Sequence, residues 1–311
     1  MVDVAIGAHQ DTKRDPGAVH GALGEWARRG KDSAVLLDLS DEDYRKLKLG
    51  TLVELIKRFP DYEHRTAYVG NRDLGELAKL LDEGRKYEKA PARLPYKLIR
   101  PQAPRVIFTP REMVQAHVGF YVAGDAFRPE NSVDYNFFSG YLGGGMSSVL
   151  FQEIRESRSL AYSTSGGYSA PQHKDSDGEL WGFLGCQADK TVEASTLLRQ
   201  LEQDPPWSPE RFSETAKAIE ENYRTNPIQF RDVPGALMTW EDQGLPPGDP
   251  RPARFERSLR YTLDDLRSFA ARFKGLPSTL YVLGDPNRVG LDELKKLGRF
   301  EEKQIDSLFP Y

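Results

Sequence analysis

The sequence predicts an α+β fold in which helices pack on a mainly antiparallel sheet. Three observations support this prediction. Segments with strand and helix periodicity follow one another from residue 105 to residue 223 in the order β-α-α-β-β-α-α. A helix–strand–helix unit occurs twice, 214 residues apart. A proline-rich stretch at 88–104 separates the first copy of this unit from the rest of the chain.

Length and charge limit the class of protein. The 311 residues allow about two domains at roughly 150 residues each. Lys and Arg total 43 against 47 Asp and Glu, which gives a formal net charge of −4 without a basic cluster. Nucleic acid and anionic membrane surfaces are therefore not expected as partners.

Membrane and export signals are also missing from the sequence. No apolar run approaches the roughly 18 residues of a membrane span, and residues 1–15 lack the basic and apolar regions of a signal peptide. We therefore expect a soluble chain without a membrane span, located in the periplasm or the cytoplasm if its source is bacterial. The single cysteine, Cys186, excludes an internal disulfide and a cysteine-rich zinc module.

The repeat covers residues 26–85, which align without a gap with residues 240–299. Twelve of these 60 positions are identical, among them Gly70 with Gly284. This is more than three times the number that composition would give at roughly 6% per position. We interpret the repeat as an internal duplication.

Each copy predicts a helix, a short strand and a second helix. In the first copy, Leu52, Leu55 and Phe59 share one helix face, and 67–69 is the predicted strand. In the second copy the strand lies at 280–283. The second copy should therefore superpose on the first in a structure.

The offset also predicts the domain organisation. A second copy that begins near residue 105 places the start of the first copy about 109 residues before Met1. We therefore expect 1–87 to be the C-terminal part of a truncated first α+β repeat, in a fragment of a longer protein. Residues 88–104 contain too many prolines for a helix and are predicted to form an extended linker, and 105–311 is then a complete second repeat.

The elements of the second repeat follow from apolar spacing. In chain order they are strands at 106–108 and 116–122, a helix at 134–142, strands at 162–168 and 180–186, and helices at 191–201 and 209–223. Glycines at 143–145 end the first helix, and Ser147 or Ser148 can cap a second helix that follows at once.

Common catalytic and metal motifs are absent from the sequence. None of the histidines belongs to H-x-x-E-H or H-E-x-x-H, which place two zinc ligands on one helix face; they are His9, His20, His64, His117 and His173. No G-x-S-x-G or phosphate-loop frame is present, so the glycines at 140–145 predict an inter-helix turn. Cys186 lies in a predicted strand and is expected to be a buried structural cysteine. No cofactor is expected in this chain.

One segment carries a specific signal. Residues 142–168 read LGGGMSSVLFQEIRESRSLAYSTSGGY. This segment resembles the signature of the pitrilysin/insulinase-type zinc metallopeptidases, the family of the mitochondrial processing peptidase and insulin-degrading enzyme. The shared features are a glycine-rich turn, a small-residue cap, Leu-Phe, Arg-Glu, and Leu-Ala-Tyr before a strand. The resemblance implies repeated α+β domains, two to a half, with two halves closing on a peptide.

The resemblance also implies which half this chain is. In such enzymes one half holds zinc through H-x-x-E-H, and the other contributes an arginine and a tyrosine seven positions later. Arg155 and Tyr162 have this spacing, so the chain resembles the zinc-free C-terminal half. Zinc is then expected in a partner half, upstream in the same polypeptide or in a separate subunit. Val149, Ser157 and Ser159 depart from the residues frequent in the family, which leaves the peptide preference open.

The chemistry of the two residues agrees with that role. A guanidinium group always carries charge and donates several hydrogen bonds, so Arg155 suits the binding of a peptide carbonyl. A phenol hydroxyl such as that of Tyr162 can donate to the oxyanion of peptide hydrolysis. In the simpler reading, Arg155 is a surface residue paired with Glu153 or Glu156, and Tyr162 is half-buried.

The expected function is therefore the zinc-free, substrate-binding half of a zinc metalloendopeptidase, with Arg155 and Tyr162 as substrate-binding residues and Tyr162 as the catalytic oxyanion donor. Such a chain would not be active alone. The alternative is a catalytically inactive homologue that binds peptides or acts as a scaffold subunit.

Overall fold

A computed structural model describes residues 2–81, 86–93 and 96–311. The described residues contain one six-stranded sheet, with the spatial order β3-β4-β2-β5-β1-β6. Its strands are β1 (Arg105–Pro110), β2 (Gln115–Ala126), β3 (Ala161–Ser169), β4 (Asp177–Gln187), β5 (Thr279–Gly284) and β6 (Arg299–Glu302). The pairs β3–β4, β4–β2 and β2–β5 are antiparallel, whereas β1 runs parallel to β5 and β6. The predicted α+β fold is thus confirmed.

Helices precede, connect and follow these strands. They are α1 (Val2–Arg14), α2 (Pro16–Arg29), α3 (Asp41–Lys46), α4 (Leu49–Arg58), α5 (Leu74–Leu81), α6 (Ser132–Gly143), α7 (Thr191–Gln203), α8 (Pro209–Thr225), α9 (Val233–Asp242), α10 (Arg251–Ser258), α11 (Leu263–Ala270) and α12 (Leu291–Lys295). Among the described residues, no helix combines the length and the apolar composition needed to cross a membrane.

Apolar layers cover both faces of the sheet. On one face, α6, α7 and α11 bury Phe138, Leu198 and Leu266 in a cluster that also contains Phe120 of β2. On the other face, α2 packs in a second cluster with the neighbouring side chain Tyr121 of β2. Successive residues of β2 face opposite sides because side chains alternate along a strand.

Helix α2 comes from the N-terminal part of the chain but belongs to the sheet. Its first turn is capped by Asp15, whose carboxylate accepts a hydrogen bond of 2.6 Å from the Ala18 N–H. Leu23 is fully buried on the sheet. The Arg28 Nε atom lies 2.5 Å from the Glu179 carboxylate of β4, and both side chains are largely buried. Burial and this ion pair dock α2 on the sheet.

The linker predicted at 88–104 has no helix in its described residues. It nevertheless packs against the rest of the protein. Leu98 is buried, and its N–H donates a hydrogen bond of 3.0 Å to the Asp177 carboxylate. The Ile99 N–H donates to the Arg28 carbonyl at 2.7 Å. The segment therefore packs in an extended conformation and contacts both α2 and β4. Residues 94–95, including one predicted linker proline, lie outside the described residues.

The strand predicted at 67–69 is wrong. Residues 63–69 have no regular secondary structure, whereas the corresponding segment of the second copy is the central strand β5. A strand is stable only when its backbone bonds to a neighbouring strand. In the described part of the chain, every strand of the sheet follows residue 104, so 67–69 has no partner strand. The repeat positions 84–85 lie outside the described residues.

Candidate functional site

An open groove lies at the β3 edge of the sheet. Its volume is about 320 Å³, and the residues that line it are Gly143, Gly145, Met146, Ser148, Phe151, Arg155, Tyr162, Ser163 and Thr164. The structure therefore brings together Arg155 and Tyr162, the two site residues predicted from the sequence.

The glycine-rich turn forms one wall of this groove. An added Cβ at Gly143 would overlap the backbone of Gly166 in β3, so α6 can end against the strand only with glycine there. Gly145 has a φ of 129°, a conformation that favours glycine. The Ser148 hydroxyl donates a hydrogen bond of 2.6 Å to the Gly145 carbonyl. The predicted inter-helix turn is present.

The segment that carries Arg155 is a π-helix, Phe151–Glu156, rather than the continuous α-helix predicted from its spacing. The Ser157 N–H donates to the carbonyl of Gln152, five residues earlier, at 2.9 Å. π-Helical turns are rare in proteins overall, and those that occur are often found at functional sites. Six residues are too few for apolar periodicity to distinguish a π-helix from an α-helix, so the sequence carried no usable signal.

Arg155 projects from this helix into the groove. Its side chain is 49% exposed, and its Nε atom lies 3.7 Å from the Glu156 carboxylate. The guanidinium group stands over the Phe151 ring, 4.8 Å from the ring centroid. The pair with Glu156 that a surface arginine would form is therefore present, but it is long and solvent-exposed, and such pairs contribute little to stability.

Tyr162 lies where β3 begins, across the groove. The register between β3 and β4 shifts between Ala161 and Ser163, so Tyr162 occupies an irregular position in the strand pair. Its side chain is 58% exposed. The Gln187 Nε2 atom donates a hydrogen bond of 3.0 Å to the Tyr162 hydroxyl. Because that hydroxyl accepts from Gln187, its own hydrogen can be donated to a bound molecule.

The outer edge of β3 is covered at one end and open at the other. The Ser139 hydroxyl of α6 bonds to both the N–H and the carbonyl of Tyr168, at 2.9 and 3.0 Å. Thr164 lies four residues earlier on the same strand and lines the groove. By the two-residue period of a strand, its backbone N–H and carbonyl face the same outer side as those of Tyr168.

Metal ligands do not cluster in the described part of the chain. Among the residues placed there, no three His, Cys, Asp or Glu side chains come together in a way that could hold a metal ion. Cys186 of β4 is buried, and this burial raises the pKa of its thiol to about 11. The thiol is therefore protonated at neutral pH and unreactive.

Two histidines that stand apart in the sequence meet in the structure. His20 of α2 and His117 of β2 have ring centroids 5.7 Å apart, in the interface between α2 and the sheet. Burial, with His117 and Arg28 nearby, lowers the pKa of His20 to about 3. Burial also lowers the pKa of His117. Sequence reasoning could not find this pair because 97 residues separate the two histidines.

Comparison with known proteins shows which family this part of the chain is similar to. Residues 64–203 match the family model described as the peptidase M16 inactive domain. The resemblance to zinc metallopeptidases predicted from residues 142–168 is thus confirmed. The matched range covers slightly less than half of the chain and includes Arg155 and Tyr162.

Curated relatives of the chain are named zinc proteases. An uncharacterized zinc protease of Streptomyces coelicolor is 29% identical over 190 residues, which cover 58% of this chain and 39% of the relative. An uncharacterized zinc protease of Mycobacterium tuberculosis is 34% identical over 99 residues, 32% of this chain and 22% of the relative. The chain thus matches well under half the length of these relatives.

Solved structures show the same fold at low sequence identity. A peptidase M16 inactive domain from Pseudomonas fluorescens has a TM-score of 0.71 and 15% identity, covering 91% of this chain and 69% of that one. The periplasmic protease PqqL from Escherichia coli has a TM-score of 0.66 and 15% identity, covering 91% and 32%. A chain of complex III2 from Candida albicans has a TM-score of 0.61 and 12% identity, covering 92% and 72%.

Proposed function

We propose that this chain is the zinc-free, substrate-binding part of a zinc metalloendopeptidase, which a zinc-bearing part completes. The observation that carries the proposal is the presence of Arg155 and Tyr162 in one open groove beside the edge strand β3. The metal belongs to the other part, in the same polypeptide or in a separate subunit, because the described residues offer no set of ligands for it. The zinc-protease names of the curated relatives agree with this assignment.

Arg155 binds and orients the peptide in this proposal. Its ion pair with Glu156 is long and exposed, so the terminal guanidinium nitrogens can donate to a peptide carbonyl. A hydrogen bond from a charged donor contributes roughly 1.5–3 kcal/mol. The Phe151 ring beneath the guanidinium restricts its position, which lowers the entropy lost when the peptide binds.

Tyr162 stabilises the transition state. Its hydroxyl accepts from Gln187 and donates its hydrogen to the substrate carbonyl oxygen as negative charge develops there. A donor aimed at a developing oxyanion typically contributes about 10²–10³ in kcat. The groove also exposes the outer edge of β3 at Thr164, where an extended peptide backbone fits beside the two side chains.

The domain arrangement is part of the same proposal. We assign 1–87 to the C-terminal part of a first α+β repeat, 88–104 to a linker and 105–311 to a complete second repeat. Support comes from the helices, since α4 begins 214 residues before α11, as the repeat predicts. The exposed apolar residues of α4 are those that the sheet of a complete first repeat would bury.

Reconstitution with a zinc-bearing M16 subunit from the same genome tests the function. We expect hydrolysis of a quenched fluorescent peptide only when both parts are present, and loss of hydrolysis with a metal chelator. Arg155→Ala should raise KM about tenfold or more, in line with the loss of one charge-assisted bond. Arg158→Ala, at an exposed position three residues away, is the matched control. Hydrolysis that does not depend on this chain would contradict the proposal.

A scaffold role is the second candidate. It is favoured by the fold likeness to a chain of complex III2, a multisubunit assembly. In that case the chain would assemble with its partner, and Arg155→Ala would leave peptide hydrolysis unchanged. Co-purification that survives Arg155→Ala, without any effect of the chain on hydrolysis, would identify this role.

A further inference from the structure

A fully buried carboxyl group lies beneath the β3–β4 strand pair. Glu202, near the end of α7, has no exposed surface. Within the described residues, neither of its carboxyl oxygens has a hydrogen-bond partner. Buried acids are usually paired or hydrogen-bonded, because burial of an unpaired charge is very unfavourable. Glu202 therefore requires an explanation that the groove chemistry does not give.

Two glycines make room for this carboxyl group. Gly166 of β3 and Gly182 of β4 are directly opposed in the strand register. A Cβ atom at Gly182 would lie 2.5 Å from Glu202 Oε1, and one at Gly166 would overlap the same oxygen. Side chains at these positions are excluded as long as Glu202 is present. The two glycines thus form a notch in the sheet that the carboxyl group occupies.

The notch is connected to both sides of the groove. Gly166 lies on the same strand as Tyr162, four residues further along. A Cβ at Gly166 would also lie 2.6 Å from the Leu150 side chain, and Leu150 directly precedes the π-helix that carries Arg155. A change at Glu202 would therefore act on the two segments that hold the site residues.

We propose that Glu202 is a positioning residue whose uncharged carboxyl group fills the notch and holds β3 against α7, thereby setting the position of Tyr162 in the groove. The proposal deepens the proposed function and rests on it, because it takes the groove as the site. It assigns a role to a residue that touches neither a peptide nor the reacting atoms.

The surroundings of Glu202 favour the uncharged form. Besides the carboxyl itself, the atoms nearest to the Cβ positions of the two glycines belong to Leu150, the Trp181 carbonyl and Leu198 of α7. None of these groups is charged or titratable. Burial raises the pKa of Glu202 well above its ordinary value. Ionisation at alkaline pH would place an unpaired charge in the notch and separate β3 from α7.

Amide hydrogen exchange on the full chain without peptide tests this inference. For the wild type we expect protection factors in β3 and β4, corrected for the intrinsic rate, to fall at least tenfold between pH 6 and pH 9. The Tyr162 ring resonances should shift over the same pH range. In Glu202→Gln, which keeps the shape of the side chain without its titration, both should stay constant.

Glu193→Gln provides the matched control, because Glu193 is exposed on the same helix. It should follow the wild-type profile. Identical profiles for wild type and Glu202→Gln would overturn the inference. If Glu202→Gln does not fold, the Glu202 carboxyl carbon of the wild type is followed by NMR. Ionisation only above neutral pH supports the inference, and ionisation with the exposed glutamates overturns it. Because no peptide is used, these results are independent of the kinetic test of Arg155.

Discussion

Helices α4 and α11 occupy equivalent positions in the repeated unit but differ in burial. In α11, Leu266 and Phe269 are 0% and 5% exposed, packed on the sheet. In α4, the apolar residues Leu55 and Ile56 are 51% and 63% exposed. Both sequences are amphipathic and both form helices at the predicted place. The difference lies in what each helix packs against.

The contrast shows that amphipathic spacing predicts a helix but not its burial. Most of the stability of a helix in a protein comes from packing of its apolar face. Phe269 of α11 packs against Tyr168 of β3, whereas 67–69 has no partner strand among the described residues. Helix α2, from the N-terminal part of the chain, is buried because it docks on the six-stranded sheet. Order along the chain therefore does not decide which core a helix joins.

The largest expected difference between the two regions is in their response to truncation of phenylalanine. Phe138→Ala, in the α6 core, should lower the free energy of unfolding by about 3–5 kcal/mol because it leaves a cavity. Phe59→Ala, just after α4 and 63% exposed, should change it by less than about 0.5 kcal/mol. Urea unfolding of both variants measures this. Equal losses would mean that α4 is packed as tightly as α6.

Loss of a buried ion pair should lower the free energy of unfolding more than loss of an exposed one, although this difference is smaller than that for phenylalanine. Glu179→Gln leaves the largely buried Arg28 guanidinium without its partner and should cost about 3 kcal/mol. Asp242→Asn removes an exposed pair with Arg65 and should cost less than about 1 kcal/mol. Urea unfolding midpoints of the two variants provide the measurement. A Glu179→Gln variant as stable as wild type would show that the pair does not dock α2.

Acid should weaken the docking of α2 through His20. The folded-state pKa of His20 is lowered to about 3, so the unfolded state binds the proton more tightly. Stability from the neutral ring is complete above about pH 6.5 and is lost as the pH falls towards 3. At pH 5 the loss from this group is about 2 kcal/mol. His20→Phe should remove this loss, whereas His64→Phe, at an exposed position, should not.

Unfolding midpoints measured from pH 7 to pH 4 test this expectation. If wild type and His20→Phe lose stability in parallel over that range, the buried histidine does not control the docking of α2.

Much of the structure of residues 105–311 could be predicted from the sequence. Strands β2 and β4 are rich in apolar residues, and the glycines at 143–145 mark the turn before Arg155. The proximity of Arg155 and Tyr162 could also be predicted, because a short connection keeps a helix and the next strand adjacent. These are local signals, which a single sequence carries.

Features that depend on distant contacts could not be predicted. The docking of α2, the pairing of His20 with His117 and the notch around Glu202 each join residues far apart in the chain. The π-helix at Phe151–Glu156 and the loss of the strand at 67–69 also have no local signal. The form of the π-helix depends on its packing beside β3. The missing strand at 67–69 is explained by the lack of a partner strand among the described residues.

The role of Tyr162 in catalysis is tested most directly by the kcat of peptide hydrolysis. It is measured for the reconstituted enzyme with Tyr162→Phe and, as a control, with Tyr68→Phe. Tyr162 lines the groove, whereas Tyr68 is a partly exposed tyrosine in the segment outside the sheet. With the fold confirmed for both variants, we predict that Tyr162→Phe lowers kcat by roughly 10²-fold and that Tyr68→Phe leaves it unchanged. Wild-type kcat in Tyr162→Phe would contradict the account and favour a scaffold role.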